Sequence, residues 1–361
     1  MNALHAHHHK NNIKESIMKL LITGASGFIG SFIVEEGLKK GYQVWAGIRR
    51  SSSKEYLKDP RIHFIELDFN NPEKLESQLN THKAVNGKWD YIVHAAGATK
   101  CLNRKDFFRT NYEGTRIFTD TIRKLDMTPK QFVFVSSLSV YGAIRETPAQ
   151  NPDNSSWIYE PIREDDTPSP NTAYGQSKLK AEEYIKNLSD FPYVILRPTG
   201  VYGPREKDYF LMAKSIKQHS DFAVGYRPQE ITFVYVQDLV DAIFCAIASG
   251  VTQRSYFISD GQVYHSQDFS DLIQKELEVK WLLRIKAPIF LLKVICGISE
   301  VISKMTGKTS TLNGDKFHIL CQRNWQCDIE PARKEIGYQP KVLLAEGVKR
   351  TISWYKKEGW L

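Results

Sequence analysis

Apolar and polar positions along the chain set out strands and helices by turns. Leu20, Leu21, Ile22 and Thr23 make a short apolar and β-branched run, which predicts a buried strand. Over residues 28–38 the apolar positions recur at helical spacing. Residues 44–48, 62–67 and 91–94 read as the second, third and fourth strands. A long helix is expected over about residues 105–125, then a fifth strand over 132–136. A second long helix over about 173–187 and a sixth strand over 193–196 continue the alternation. Strands alternating with helices predict an α/β fold, a doubly wound parallel (Rossmann) sheet that binds ligands at its carboxyl edge.

Between the first strand and helix, Gly24, Gly27 and Gly30 stand at G-x-x-G-x-x-G spacing. Such a turn leaves backbone N–H groups and a helix dipole facing a phosphate, and the missing side chains let a pyrophosphate approach. Residues 18–198 are read mainly as the nucleotide-binding domain, with 233–258 returning to it. Residues 199–232 and 259–361 are read mainly as a smaller substrate-binding part. Residues 1–17 form a polar extension, whose His5, His7, His8 and His9 suit either a metal or a flexible leader.

Composition narrows the picture. With 361 residues, 42% of them hydrophobic, the chain can bury a sizeable core. Five cysteines without a C-x-x-C point to reduced thiols in a cytoplasm and against a disulfide frame or a zinc site, and no metal is expected in the active site. Net charge is +8, and residues 280–361 alone hold 15 Lys and Arg against 7 Asp and Glu, a difference of 8. The whole basic excess therefore lies at the C-terminal end. With no nucleic-acid motif beside it, it reads as a solvated face or as attraction to an anionic lipid surface. Residues 281–305, WLLRIKAPIFLLKVICGISEVISKM, contain a strongly apolar helix that starts at Pro288 and ends near Gly307. The run is too short and too often interrupted by Lys286 and Lys293 to span a bilayer. It fits a wall of the pocket or a peripheral contact with a membrane surface.

Two further patterns carry chemistry. The end of the second strand, where a carboxylate usually meets a free ribose 2′-hydroxyl, holds Arg49, Arg50 and Ser51. A guanidinium there suits a 2′-phosphate, so NADP(H) is expected, with Arg49 as the main contact and NAD(H) as the second option. Tyr174-Gly-Gln-Ser-Lys178 places a phenol and an ammonium on one helix face. An adjacent ammonium should lower the phenol's pKa and ready it for proton exchange with a substrate alcohol or ketone. Ser137, at the end of the fifth strand, is placed to bond the same oxygen.

With these motifs the chain resembles the extended short-chain dehydrogenase/reductases, the NAD-dependent epimerase/dehydratase family. The likeness rests on TGASGFIG (23–30), Asp68, HAAG (94–97), NYEGT (111–115), SSLSVYG (136–142), YGQSK (174–178), RPTGVYGP (197–204) and the ending 325–361. It implies Tyr174 as acid/base, Lys178 on the ribose hydroxyls, and Ser137 polarising the substrate oxygen. It implies further that Gly24, Ser26, Gly27, Phe28, Ile29 and Gly30 cradle the cofactor. Asp68 and Phe69 would meet the adenine, Ala95, Ala96 and Gly97 would line the cofactor, and Pro198 would lie near the nicotinamide. Asn111 matches the family's Asn, in a catalytic or a structural role.

The chain departs from the family in two places. Leu138 and Ser139 stand where sugar-nucleotide dehydratases carry an Asp-Glu pair, which argues against 4,6-dehydration. Residues 143–171 lengthen the gap from Ser137 to Tyr174, as a lid over the site or as a surface decoration. The arginine and the apolar helix point to the branch resembling dihydroflavonol reductases and 3β-hydroxysteroid dehydrogenases. The expectation is thus an NADPH-dependent reductase, or reverse dehydrogenase, of a ketone on an apolar, lipid or sterol-like substrate. The alternatives are a nucleotide-sugar epimerase with tightly held NAD(P) and a non-catalytic NADP sensor. A cytoplasmic place, peripheral on the inner membrane face, and room for a homodimer complete the expectations.

Overall fold

The computed structural model describes residues 17–150, 157–226, 229–306 and 313–361, with backbone alone at 149–150, 157–158 and 302–304. Seven apolar runs pair into one parallel sheet, built from β1 (Lys19–Thr23), β2 (Gln43–Ile48), β3 (His63–Glu66), β4 (Tyr91–His94), β5 (Gln131–Val135), β6 (Tyr193–Pro198) and β7 (Arg254–Ile258). Their order is β7-β6-β5-β4-β1-β2-β3, so the chain reverses its direction of travel between β1 and β4. A crevice opens at the carboxyl ends of the strands at that point. The seventh strand and the helix α2 (Pro72–Asn86) extend the expected sheet and its cover.

Helices cover both faces, because parallel strands buried on two sides must bury apolar residues both ways. On one face α1 (Phe28–Lys39) and α5 (Val236–Ser249) press Ile33, Val34, Leu239 and Ile243 onto Leu20, Ile22 and Val44. On the other, α2, α3 (Gly114–Lys124) and α4 (Ala173–Lys186) press Leu75, Leu79, Phe118, Ile122 and Ile185 onto Leu21, Ile92 and Phe132. Residues 327–338, which the sequence division places in the substrate part, send Cys327, Ile329, Ala332, Ile336 and Tyr338 into the first of these cores. A third core around Tyr202, Phe233, Phe269 and Ile352 serves the C-terminal part. There α6 (Ile289–Thr306) follows Pro288, and α7 (Gly314–Cys321) packs against it.

Two expectations change here. The long helix over 105–125 is three pieces: Arg104–Phe107, a π-helical turn at Phe108–Glu113, and α3. The insertion 143–171 is fastened in its described parts. Arg145 pairs with Asp166 at 2.7 Å, and the Glu146 carboxylate accepts from the backbone N–H of Arg323 and Asn324. Its tip at 151–156, the Trp157 side chain, the histidines of 1–16, and the Ile302, Lys304 and Lys308 side chains lie outside the described residues. All five cysteines are unpaired thiols.

Candidate active site

The turn after β1 is built for close approach. Gly24 adopts φ +69°, and a Cβ there would lie 2.7 Å from the Ala95 carbonyl oxygen; one at Gly30 would lie 2.1 Å from the Gly24 carbonyl oxygen. Glycine is therefore the residue these positions admit. Gly27 caps α1 without a side chain, and the first turn of α1 carries no acid. The helix's free N–H groups and positive end are left open toward the crevice, as a pyrophosphate requires. Gly27 itself is exposed, and Ser26, Phe28 and Ile29 flank it half-buried.

Beside this turn the strand ends bring the other expected residues. Arg49 and Arg50 leave β2 exposed; the Arg49 backbone N–H donates to the Ser52 hydroxyl at 3.0 Å. Asp68, two residues past β3, holds its carboxylate 3.2 Å from the Lys74 ammonium. The Phe69 ring stands edge-on to His94 and tilted against Phe118. Ala95, Ala96 and Gly97 leave β4 at the crevice, and Pro198 is buried where β6 ends.

His94 fixes that edge. The Thr115 hydroxyl donates to the Asn111 carbonyl at 2.7 Å, so the contact of His94 Nε2 with Thr115 Oγ1 at 3.0 Å is donated by the imidazole. His94 Nδ1 is then the acceptor for the Thr23 hydroxyl at 2.7 Å, and Thr23 Oγ1 accepts from the Ala96 N–H at 3.3 Å. Burial holds His94 neutral, with its pKa pushed down to about 3. Asn111, in the π turn, spends its amide on structure. Its Oδ1 accepts from Ala98 N–H at 2.7 Å, and its Nδ2 donates to the Ala98 carbonyl and the Ser177 hydroxyl, both at 3.0 Å.

α4 carries the proton machinery. Thr172 caps it by accepting from the Gly175 N–H at 3.0 Å. A Cβ at Gly175 would lie 2.3 Å from the Ser139 carbonyl oxygen, so glycine lets α4 settle onto the loop that holds Ser137. The Tyr174 hydroxyl faces Ser137, which favours the phenolate, yet burial outweighs it and raises the phenol to about 12. Ser137 also caps the short turn Leu138–Val140 and bonds Ser139. Lys178 lies buried beneath, its ammonium donating to the Val135 carbonyl at 2.7 Å and standing 4.4 Å over the Phe134 ring. Burial lowers it to about 8, against the pull of Glu182 one turn on. Glu182 is itself paired with buried Arg197 at 2.7 Å. The expectation that Lys178 lowers the Tyr174 pKa is thus not met: the ammonium is directed at a carbonyl, and burial dominates both groups.

Sequence reading missed Asp315 and the Glu182–Arg197 pair. Asp315, from α7, accepts from the Ala173 and Tyr174 N–H groups, each at 3.0 Å, and so completes the cap of α4. Glu182 and Arg197 form the floor under Lys178. Asp315 lies 141 residues from Tyr174 and leaves no local signal; Glu182, four residues past Lys178 on one helix face, could have been suspected.

Residues 20–259 match the NAD dependent epimerase/dehydratase family. The chain is 25% identical over 364 residues to the decarboxylating sterol-4-alpha-carboxylate 3-dehydrogenase of Saccharomyces cerevisiae, covering 94% of this chain and 98% of that protein. It is 26% identical over 351 residues to the UDP-glucose 4-epimerase of Vibrio cholerae, covering 92% and 94%. The solved UDP-glucose 4-epimerase of Thermotoga maritima, with UDP-glucose, superposes with a TM-score of 0.73 at 22% identity over 94% of this chain and 99% of that one.

Proposed function

The chain belongs to the NAD-dependent epimerase/dehydratase family, whose members are oxidoreductases and epimerases of the extended short-chain type, and from that membership we propose an NADPH-dependent reductase of a ketone on an apolar, lipid or sterol-like substrate. The cofactor, when bound, supplies the hydride. The glycine turn and the amino end of α1 hold its pyrophosphate, exposed Arg49 pairs with its 2′-phosphate, and Lys178 bonds its ribose hydroxyls. Tyr174 gives its phenolic proton to the carbonyl oxygen as the alcohol forms, and Ser137 polarises that oxygen. The reverse direction moves the same proton back to Tyr174.

The observation that carries the reaction is the meeting of the Tyr174 and Ser137 hydroxyls above buried Lys178. The substrate class is supported by the apolar α6, which is joined through α7 to the first turn of α4. Likeness to a sterol dehydrogenase agrees with it. A nucleotide-sugar epimerase is the second reading, favoured by the likeness to the Vibrio enzyme and served by the same Tyr174 and Lys178.

Titration with NADPH and NADH tests the cofactor. NADPH should bind at least tenfold tighter, about 1.4 kcal/mol, and Arg49→Ala should remove the difference. Equal affinities in the wild type would sink the assignment. Cofactor oxidation is then followed with keto-lipids and with UDP-glucose. Oxidation by the former supports the reductase; sugar epimerisation without net cofactor oxidation supports the second reading.

A further inference from the structure

Two consecutive pieces of the C-terminal part turn their apolar sides outward. In the parallel ribbon of Ser220–Val224 and Leu283–Ala287, Phe222 stands in register with Ile285, and Ser220 with Leu283. On the polar side of the ribbon Asp221 is buried and the exposed Arg284 pairs with it at 3.7 Å and with Asp271, while Lys286 on that side stays exposed at the ribbon's end. Leu283, Ile285 and Phe222 are left exposed, the last at 65%. The chain then passes Pro288 into α6. Leu292 and Cys296 fall on the helix face turned to α7, where Cys296 neighbours Cys321. At 100° per residue, Phe290, Leu291, Val294, Ile298, Val301 and Met305 fall on the opposite arc. All six are exposed, Phe290 at 72% and Met305 at 82%. A helix of a globular protein shows the reverse arrangement, and an exposed apolar patch of this extent marks an interaction surface.

Charge in the same stretch selects the partner. Lys280, Lys286 and Lys293 are exposed and have no ion pair among the described residues. The one acid between residues 280 and 306, Glu300, lies on the arc turned to α7. We propose that α6 and the outer side of the ribbon dock on the surface of an anionic bilayer, with the apolar arc at the headgroup boundary and the lysines among the phosphates. No described helix is long and apolar enough to cross a membrane, so α6 lies in the plane of the interface. A two-fold pairing of the same face would set these lysines against their own copies, a like-charge arrangement. The His- and Asn-rich residues 1–16 bring too few apolar side chains to cover it. Docking places the lipid phase one helix away from Tyr174, because α7 packs on α6 and its Asp315 holds the first turn of α4.

Sedimentation of the full chain with vesicles tests the surface and reads no turnover, so it stands apart from the reductase reading. Binding is expected to phosphatidylcholine vesicles that contain phosphatidylglycerol, and to weaken about tenfold with pure phosphatidylcholine or on raising salt. Phe290→Glu with Ile298→Glu should abolish it while circular dichroism and Tm stay unchanged, as both side chains are exposed. Lys286→Glu with Lys293→Glu should remove the preference for the anionic lipid alone. Failure of the wild type to sediment with either vesicle overturns the proposal, as does binding that the Phe290→Glu, Ile298→Glu pair leaves intact. A concentration-dependent dimer broken by Phe290→Glu assigns the face to a second copy and overturns it too.

Discussion

Tyr174 and Lys178 show why spacing alone does not set a pKa. Four residues apart on α4, they share a helix face, and Coulomb attraction between ammonium and phenolate favours charge on both. Burial opposes charge on either, and here it wins twice: Tyr174 rises to about 12 and Lys178 falls to about 8. Tyr174 therefore keeps its proton through the neutral range, which suits a donor. Lys178 is the group that titrates near working pH. It is an ammonium below about 8 and a neutral amine above, so whatever the ammonium holds is held at low pH and lost as pH rises through that value. Because kcat/KM reports the free enzyme, kcat/KM for NADPH should fall as pH rises through about 8. Lys178→Arg, charged throughout, should flatten that limb. Tyr174→Phe should lower kcat by about 10² or more while NADPH still binds and the limb stays in place. A flat wild-type profile, or a Tyr174→Phe enzyme of near-full rate, would show the roles to be misassigned.

Elements were legible where apolar patterns are dense and local. β4 falls on the residues expected of it, 91–94, and the glycine turn with α1 stands where the spacing puts it. α2 was missed because its buried stripe is only Leu75, Leu79 and His82 in an otherwise polar helix. The π turn at Phe108–Glu113 was missed because the apolar spacing of 105–125 runs on through it. Its one mark in the sequence is a polar residue, Asn111, which the fold buries completely. That turn aims Asn111 at the strand-end loop on one side and at α4 on the other. Asn111→Ala would take the side-chain partner from the part-buried Ala98 N–H and carbonyl, at about 0.5–1.5 kcal/mol for each bond. We expect a lower Tm, by several degrees, together with weaker NADPH binding, since Gly97 and Ala98 lose their anchor. Asn111→Asp, which keeps one acceptor for Ala98 N–H, should be intermediate. An unchanged cofactor affinity in Asn111→Ala would confine the residue to stability.

At the scale of the whole molecule, three pieces meet at the first turn of α4. Thr172 caps it from within, the Ser137 loop lies under Gly175, and Asp315 reaches it from the C-terminal part. Long-range contacts of this kind cannot be read from periodicity, so the sequence offered a substrate part but no sign of where it touches the chemistry. Parts of it are held toward the sheet: Glu146 of the insertion clasps Arg323 and Asn324, and 327–338 sends five side chains into the first core. Among the described residues, α6 and α7 send no side chain into the sheet's two cores, and two Asp315 bonds tie α7 to the first turn of α4. A carboxylate at a helix amino end is a charge-assisted cap, and losing one costs about 1–2 kcal/mol. Asp315→Ala should therefore quicken amide hydrogen exchange at Ala173 and Tyr174, and also within α7, while raising KM for the carbonyl substrate more than it lowers kcat. Thr172→Ala removes a comparable cap from within α4 and should quicken exchange at Gly175 while leaving α7 as it was. If Asp315→Ala leaves exchange in α7 unchanged, the contact is a cap alone and the outer helices are not coupled to Tyr174 through it.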